Sequence, residues 1–154
     1  MCTGIALIQS EISVASFEEF ALARRVHCRG GEPEVRFFWQ AELPLLPIWH
    51  EGRMHIVRWG NRDRQSRLPA TGWTWQSTVE NGGWNALQPV LVTISANFGF
   101  EKGVWFRIRE GVRGVLVRDE QERPRVFMIC EPSTRYYRVM TRSDRMPELI
   151  DETI

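Results

Sequence analysis

Strand–turn–strand units fill the middle of this sequence, and they constrain the fold more than any other feature. Residues 47–60, PIWHEGRMHIVRWG, predict two strands joined by a turn at Glu51 and Gly52. Residues 89–108 predict two more strands, rich in β-branched and aromatic residues, around a break of Asn, Gly and Lys. Residues 111–132 repeat the pattern around a charged turn. Strands joined by short turns pair antiparallel, so we expect mostly antiparallel sheet.

The other segments predict fewer regular elements. Residues 2–9 suit a short first strand, and residues 16–27 predict a serine-capped helix from their apolar spacing. Residues 61–72 form a polar stretch without periodicity and predict a loop, while residues 73–84 are ambiguous. Residues 143–154 predict a turn and a short end.

Length and composition fit one globular domain. The chain has 154 residues, 43% hydrophobic and 25% charged, with no internal repeat or linker. A chain of this length buries a sizeable core. We predict a single α+β domain over residues 1–154: a strand-rich, mostly antiparallel mixed sheet with a few flanking helices.

The sequence predicts a cytoplasmic protein without a membrane segment. No apolar run reaches the roughly 18 residues that span a bilayer, and the start MCTGIALIQSE lacks the basic residues and length of a signal peptide. The three cysteines, Cys2, Cys28 and Cys130, form no CxxC pair. This argues for a reducing compartment and against a disulfide framework or a zinc site.

The basic residues are almost all arginine. The chain has 20 Lys and Arg residues together, of which Lys102 is the single lysine, and its net charge is +1. Arginine matches phosphate with a planar fork and stacks on aromatic rings, so a phosphate-binding surface is one interpretation. A high-GC genome, which raises arginine content everywhere, is the other.

No metal or cofactor site is predicted. His50 and His55 flank the turn that contains Glu51, but a metal site needs further ligands at suitable spacing. The sequence contains no GxGxxG, GxxxxGK or GxSxG motif, which argues against nucleotide loops and the hydrolase elbow. We expect no cofactor.

The chain begins MCTG, with a cysteine directly after the initiator methionine. If Met1 is removed, Cys2 carries a free α-amine and a thiol on one residue. This 1,2-aminothiol attacks aldehydes in a way that internal cysteines cannot. Chance placement of a single cysteine is the alternative.

Five features occur in an order that suggests a family. They are Cys2, the pair Trp59-Gly60, a carboxamide followed four residues later by an acid (Gln76 and Glu80), an aromatic-rich strand ending in Glu101, and the stretch DRMP at 144–147. In this order they resemble the SRAP family, the SOS response-associated peptidases. Its marks are Cys after the initiator Met, a WG pair, Asn-Ala-Arg-x-Glu-Thr, a strand ending Ala-Asp-Gly-aromatic-aromatic-Glu-Trp, and His-Asp-Arg-Met-Pro.

The chain departs from the family pattern at several motif positions. Gln76 stands where the family has asparagine, and Ser77 and Thr78 replace its alanine and arginine. Ser143 stands where the family has histidine. The resemblance therefore indicates a divergent and shortened, phage- or prophage-type member.

The resemblance implies an SRAP-type fold and a covalent activity on damaged DNA. Family members crosslink to abasic sites in single-stranded DNA, here through Cys2 as a thiazolidine after Met1 removal. The implied catalytic residues are Cys2, Gln76, Glu101 and Ser143. Because serine does not shuttle protons near neutral pH as histidine does, the replacement leaves open whether the crosslinking or peptidase-like activity survives.

The implied partner is single-stranded DNA with abasic sites. Arg145 suits a flanking phosphate and Trp59 a stacked base, with Arg58 and Arg62 as further DNA-binding candidates. The rival hypothesis is a non-catalytic remnant that binds DNA or protein. Taken singly, Trp59 also fits a core aromatic, Gln76 a surface amide and Glu101 a turn residue.

Overall fold

This computed structural model describes residues 1–152, which form twelve strands, three short α-helices and three 3₁₀ turns. The strands are β1 (Gly4–Ile8), β2 (Val26–Cys28), β3 (Pro33–Phe38), β4 (Leu45–His50), β5 (Arg53–Trp59), β6 (Trp73–Trp75), β7 (Val90–Ile94), β8 (Phe98–Glu101), β9 (Val104–Arg107), β10 (Val112–Arg118), β11 (Pro124–Pro132) and β12 (Arg145–Pro147). The helices are α1 (Val14–Glu19), α2 (Gln76–Glu80) and α3 (Arg135–Thr141), and the 3₁₀ turns are Gln9–Glu11, Leu22–Arg25 and Asn85–Leu87.

The strands form two sheets. The first is antiparallel, with the order β2-β3-β1-β8-β9. In the second, β10, β7, β4, β5 and β11 follow one another and the pairing of β10 with β11 closes them into a five-stranded barrel. Strands β6 and β12 add to β11, and only the pairs of β11 with β5 and β6 are parallel within residues 1–152. The prediction of a strand-rich, mostly antiparallel α+β domain is confirmed.

Strand β11 separates two hydrophobic clusters. Its residues Val126, Met128 and Cys130 belong to the main cluster, which also includes side chains of the first sheet. Its residues Phe127 and Ile129 belong to a smaller cluster on the other side. A strand that is buried on both faces carries a continuous apolar run rather than an alternating one.

The first predicted hairpin and the loop after it are confirmed. Strands β4 and β5 pair in register from Leu45 with Arg58 to His50 with Arg53. The turn residues Glu51 and Gly52 have φ values of 53° and 77°, as a type I′ hairpin turn requires. Strands β10 and β11 likewise confirm the strand–turn–strand prediction for 111–132.

The predicted helix over 16–27 is wrong in its extent. Helix α1 begins at Val14, two residues earlier than predicted, because the Ser13 side chain accepts a hydrogen bond from the Ser16 amide and caps it. The helix cannot continue past Ala21, whose φ of 51° is left-handed. The chain then makes a 3₁₀ turn and enters β2, which pairs with β3.

The prediction of two strands over 89–108 is also wrong, because three form. Strand β7 joins the barrel, whereas β8 and β9 make a hairpin in the first sheet. Its turn residues Lys102 and Gly103 have φ values of 46° and 81°. The ambiguous segment 73–84 forms β6 and α2, and the predicted C-terminal turn contains β12. Thr153 and Ile154, predicted as part of the short end, lie outside the described residues.

Candidate functional site

The first three residues continue the line of β1 between two neighbouring strands. The Thr3 amide donates to the Phe100 carbonyl at 2.8 Å, and the Thr3 carbonyl accepts from the Trp39 amide at 3.0 Å. Phe100 lies in β8 and Trp39 directly follows β3. This pairing places the chain terminus beside Glu101, the last residue of β8.

The α-amine of residue 1 lies between a carboxylate and a hydroxyl from distant parts of the chain. Its nitrogen is 2.7 Å from Oε2 of Glu101, at ion-pair distance but outside the angles of a hydrogen bond. The amine also donates a hydrogen bond to Oγ of Ser143. Glu101 is only 3% exposed, and Ser143 donates onward to the Arg145 carbonyl at 3.0 Å. Together with Cys2, these residues form what we call the N-terminal cluster: Met1, Cys2, Glu101, Ser143 and Arg145.

The thiol of Cys2 is fully buried behind the amine. Its Sγ donates to the Gly4 carbonyl at 3.0 Å, while the Cys2 carbonyl accepts from the Trp73 indole at 2.9 Å. Burial raises the pKa of the thiol from 9.0 to about 11. While Met1 is present, the thiol is therefore protonated near neutral pH and enclosed by protein.

Two further weak acids lie close to the Cys2 thiol. Burial raises the pKa of Cys130 to about 12 and raises that of the Tyr137 hydroxyl above its ordinary value, and Cys2 contributes to both shifts. Desolvation disfavours each anion, so all three groups stay neutral near pH 7. Cys2, Cys130 and Tyr137 therefore add no negative charge beside the α-amine at that pH.

Arg145 connects the N-terminal cluster to an aromatic cleft. Its Nη1 is 3.5 Å from the Met1 sulfur, and its guanidinium lies over the Trp75 ring, 4.0 Å from the ring centroid. The cleft has a volume of about 350 Å³ and is lined by Trp73, Trp75 and Trp84 in addition to Arg145. Sequence reasoning missed Trp75. Strand alternation in WTW was the available signal, because it places Trp75 on the same face of β6 as Trp73; Trp75, at the end of the strand, is partly exposed.

Gln76 makes its side-chain contact away from the amine. As the first residue of α2, it donates from Nε2 to Oε1 of Glu148 at 2.8 Å. Arg113 approaches the same carboxylate, with 3.6 Å between Nε and Oε1. These three side chains line a separate cavity with Glu80. The structure thus brings Cys2, Glu101, Ser143 and Arg145 to the chain terminus but directs the Gln76 amide elsewhere.

The prediction that Trp59 stacks on a base is wrong. Its side chain is 1% exposed, and its indole donates to the Gly72 carbonyl at 2.9 Å. Its ring packs against Trp39 and Trp73, with centroids 5.6 and 5.5 Å apart. A ring enclosed in this way presents no face to a ligand, so Trp59 is a core aromatic.

Arg58 and Arg62 lie in different surroundings from Arg145. Nε of Arg58 is buried without a hydrogen-bond partner in the described part of the chain, and burial together with the nearby Arg125 lowers its pKa. Arg62 lies over the Trp39 ring at 4.5 Å and donates to the backbone carbonyls of Trp39 and Ala41. Its guanidinium is therefore held against the protein.

His50 and His55 lie with ring centroids 6.1 Å apart, and residues 1–152 contain no group of three or more side chains that could hold a metal ion. No helix in that range has the length and apolarity needed to cross a membrane. The sequence matches no family model, no curated protein and no solved structure.

Proposed function

We propose that the protein, after removal of Met1, binds single-stranded DNA and forms a thiazolidine crosslink to abasic sites through the amine and thiol of Cys2. The observation that carries this proposal is the surroundings of the chain terminus. A terminal amine lies 2.7 Å from a buried carboxylate, donates to Ser143 and is adjacent to a buried cysteine. The SRAP resemblance selected the same residues, Cys2, Glu101, Ser143 and Arg145, from stretches far apart in the sequence.

Removal of Met1 moves the free α-amine by one residue. Consecutive Cα atoms are about 3.8 Å apart, so the freed Cys2 amine begins one residue from the position that the Met1 amine holds. Met1 packs against the core cluster that contains Cys2. Its removal opens space beside Cys2 for the open-chain sugar of an abasic site.

The proposed chemistry proceeds in two bond-forming steps. Glu101 accepts a proton from the α-ammonium group, whose ordinary pKa is about 7.7–8.0, and the free amine attacks the aldehyde carbon. Glu101 then returns the proton to the carbinolamine hydroxyl, which leaves as water, and the protonated imine that results gives its N–H proton back to Glu101. The Cys2 sulfur adds to the imine carbon while the thiol proton moves to nitrogen. The net result is a five-membered ring and one molecule of water.

Arg145 and Trp75 provide the polar and aromatic groups beside that reaction centre. A guanidinium binds phosphate through charge-assisted hydrogen bonds, and an exposed indole stacks on a base. The two side chains are already stacked on each other at the mouth of the cleft. The DNA-binding role predicted for Trp59 therefore passes in this proposal to Trp75.

Non-covalent binding is the second candidate function, and the substitution at 143 favours it. Ser143 is 4% exposed and bonds to the amine and to the Arg145 carbonyl. A hydroxyl at this position fixes the terminus but supplies no group that exchanges protons near pH 7. A protein of this kind would hold DNA or another protein without bonding to it.

The deciding experiment compares the mature protein with Cys2→Ser on abasic single-stranded DNA. Cys2→Ser keeps the α-amine and lacks the thiol. Wild type should give a denaturation-resistant adduct without reductant, whereas Cys2→Ser should give one only when borohydride traps the imine. Cys2→Ala should behave as Cys2→Ser does. An adduct of equal yield and stability in Cys2→Ser would overturn the thiazolidine mechanism, and no wild-type adduct at all would leave the binding function.

A further inference from the structure

The outer face of the first sheet, β2-β3-β1-β8-β9, carries aromatic side chains that belong to neither hydrophobic cluster. These residues are partly exposed, and the chain contributes them from three different strands. They are Phe38, Phe98, Phe100 and Trp105, which we call the aromatic face together with Arg29, Arg36 and Arg107. A sheet face that is not packed on the core is usually polar, so four such rings need another explanation.

Strand register brings these rings side by side. Gly4 in the central strand β1 pairs with Phe38 on one side and with Phe100 on the other, and Phe100 pairs with Trp105. The ring centroids of Phe38 and Phe100 are 5.6 Å apart, and those of Phe100 and Trp105 are 4.8 Å apart. A Cβ on Gly4 would lie 2.5 Å from the Phe38 ring, so the glycine leaves room for that ring to lie over the strand.

Arginine side chains interleave with the rings. The Arg29 guanidinium lies 4.2 Å from the Phe98 centroid and 4.5 Å from that of Trp105, and Arg36 lies 4.8 Å from Trp105. Both arginines donate hydrogen bonds of 2.8 to 2.9 Å to the carboxylate of Glu34, which is 3% exposed. The buried carboxylate fixes the two guanidinium planes in position.

The face has an excess of positive charge. Arg107 is exposed and pairs with Phe98 in the β8–β9 ladder, so it shares this face. The face therefore carries three arginines against a single buried carboxylate. A cavity of about 380 Å³ adjoins it, and its lining includes Arg24, Arg25 and Arg36 against one carboxylate, Glu42.

We propose that the aromatic face binds unpaired single-stranded nucleic acid. Sequence-tolerant binding of single strands combines aromatic platforms for the bases with positive charge for the phosphates, and both are present here. Duplex bases stack on one another and offer no free ring face, so an unpaired strand is the occupant. This proposal rests on the proposed function for its ligand, and it extends the contact to the undamaged strand around the lesion.

The test measures binding of an undamaged oligothymidylate of about 20 nucleotides, longer than the sites of about 4–16 nucleotides that single-strand-binding folds occupy. Fluorescence anisotropy compares wild type with Trp105→Ala and Arg107→Gln. Loss of one stacking ring should weaken binding about 5- to 100-fold. Loss of one phosphate contact should reduce the slope of log K against log salt by about 0.7.

Matched controls lie on the barrel. Trp49 is 52% exposed on β4, and Arg53 is exposed on β5, so Trp49→Ala and Arg53→Gln should bind as wild type does. Equal binding by all variants, or no binding by wild type, overturns the proposal. If Trp105→Ala does not fold by circular dichroism, the salt slope of Arg107→Gln decides.

A separate variant distinguishes this inference from the covalent function. Glu101→Gln should reduce crosslinking to abasic DNA and leave oligothymidylate binding unchanged. Absence of crosslinking with intact oligothymidylate binding would refute the covalent function alone. Crosslinking in a Trp105→Ala protein that binds oligothymidylate as tightly as wild type would refute the aromatic face alone.

Discussion

Removal of Met1 should switch the Cys2 thiol from protected to reactive. In the chain that retains Met1 the thiol is fully buried and its pKa is raised from 9.0 to about 11. At pH 8, such a thiol has about one hundredth of the thiolate of an ordinary cysteine, and the thiolate is the reactive form. Limited access to the buried sulfur slows its reaction further.

Alkylation by iodoacetamide at pH 8, followed by peptide mass spectrometry, measures this effect. Cys2 in the Met1-containing protein should react at least about 100-fold more slowly than Cys2 in an unfolded peptide of the same sequence. Treatment with a methionine aminopeptidase should raise the rate at Cys2 by at least about tenfold. Cys130, which is equally buried, should stay protected in both forms and serves as the internal control.

Two results would refute this reasoning. If Cys2 in the Met1-containing protein reacts as fast as the peptide, the burial of the thiol is incorrect. If its rate is unchanged after Met1 is removed while Cys130 stays protected, Met1 does not cover the thiol, and its removal does not open the N-terminal cluster.

Three further predictions concern the cluster and the core. Ser143→His should speed both formation and reversal of the adduct by about 10²- to 10⁴-fold, because it supplies a general acid–base catalyst. Quenched time courses measure both rates, and unchanged rates would exclude that role for position 143. Trp59→Ala should lower the free energy of unfolding in urea by about 3–5 kcal/mol, since it empties a core position; a loss below about 1 kcal/mol would contradict its core placement. Burial raises the pKa of Cys2 and of Cys130 above 9.0, so these thiols ionise at lower pH in the unfolded chain than in the folded one. The free energy of unfolding should therefore be steady below about pH 8 and fall as the pH rises through 9 to 12. A free energy of unfolding that does not fall over this range would contradict the raised pKa values.

Local sequence signals were sufficient to predict a hairpin where the turn residues and the strand pattern agree. Glu51 and Gly52 between two β-rich runs predicted the β4–β5 hairpin, and both residues adopt the positive φ that its turn requires. The predicted helix over 16–27 was too long because apolar spacing does not report the left-handed conformation of Ala21. Beyond it, β2 exists through its pairing with β3, which is a tertiary effect.

The site was predictable only through the order of its motifs. Cys2, Glu101 and Ser143 are brought together by sheet pairing and by the turn after α3, and no local periodicity encodes such contacts. The sequence also could not distinguish the burial of Trp59 from that of Trp75. Trp59 ends a predicted strand and Trp75 lies in the ambiguous segment 73–84. Packing against Trp39 and Trp73 buries Trp59, whereas Trp75 stays partly exposed at the cleft beside Arg145.

In the proposed function, Cys2 as the first residue bonds covalently to an abasic site. Intact mass spectrometry tests it directly on the mature protein after incubation with a single-stranded oligonucleotide that carries one abasic site. We expect one new species at the summed mass of protein and oligonucleotide less one water, with the modification on Cys2 and no such species from the Met1-containing protein. A mature protein that keeps its own mass, or an adduct that forms equally well when Met1 is retained, would contradict it.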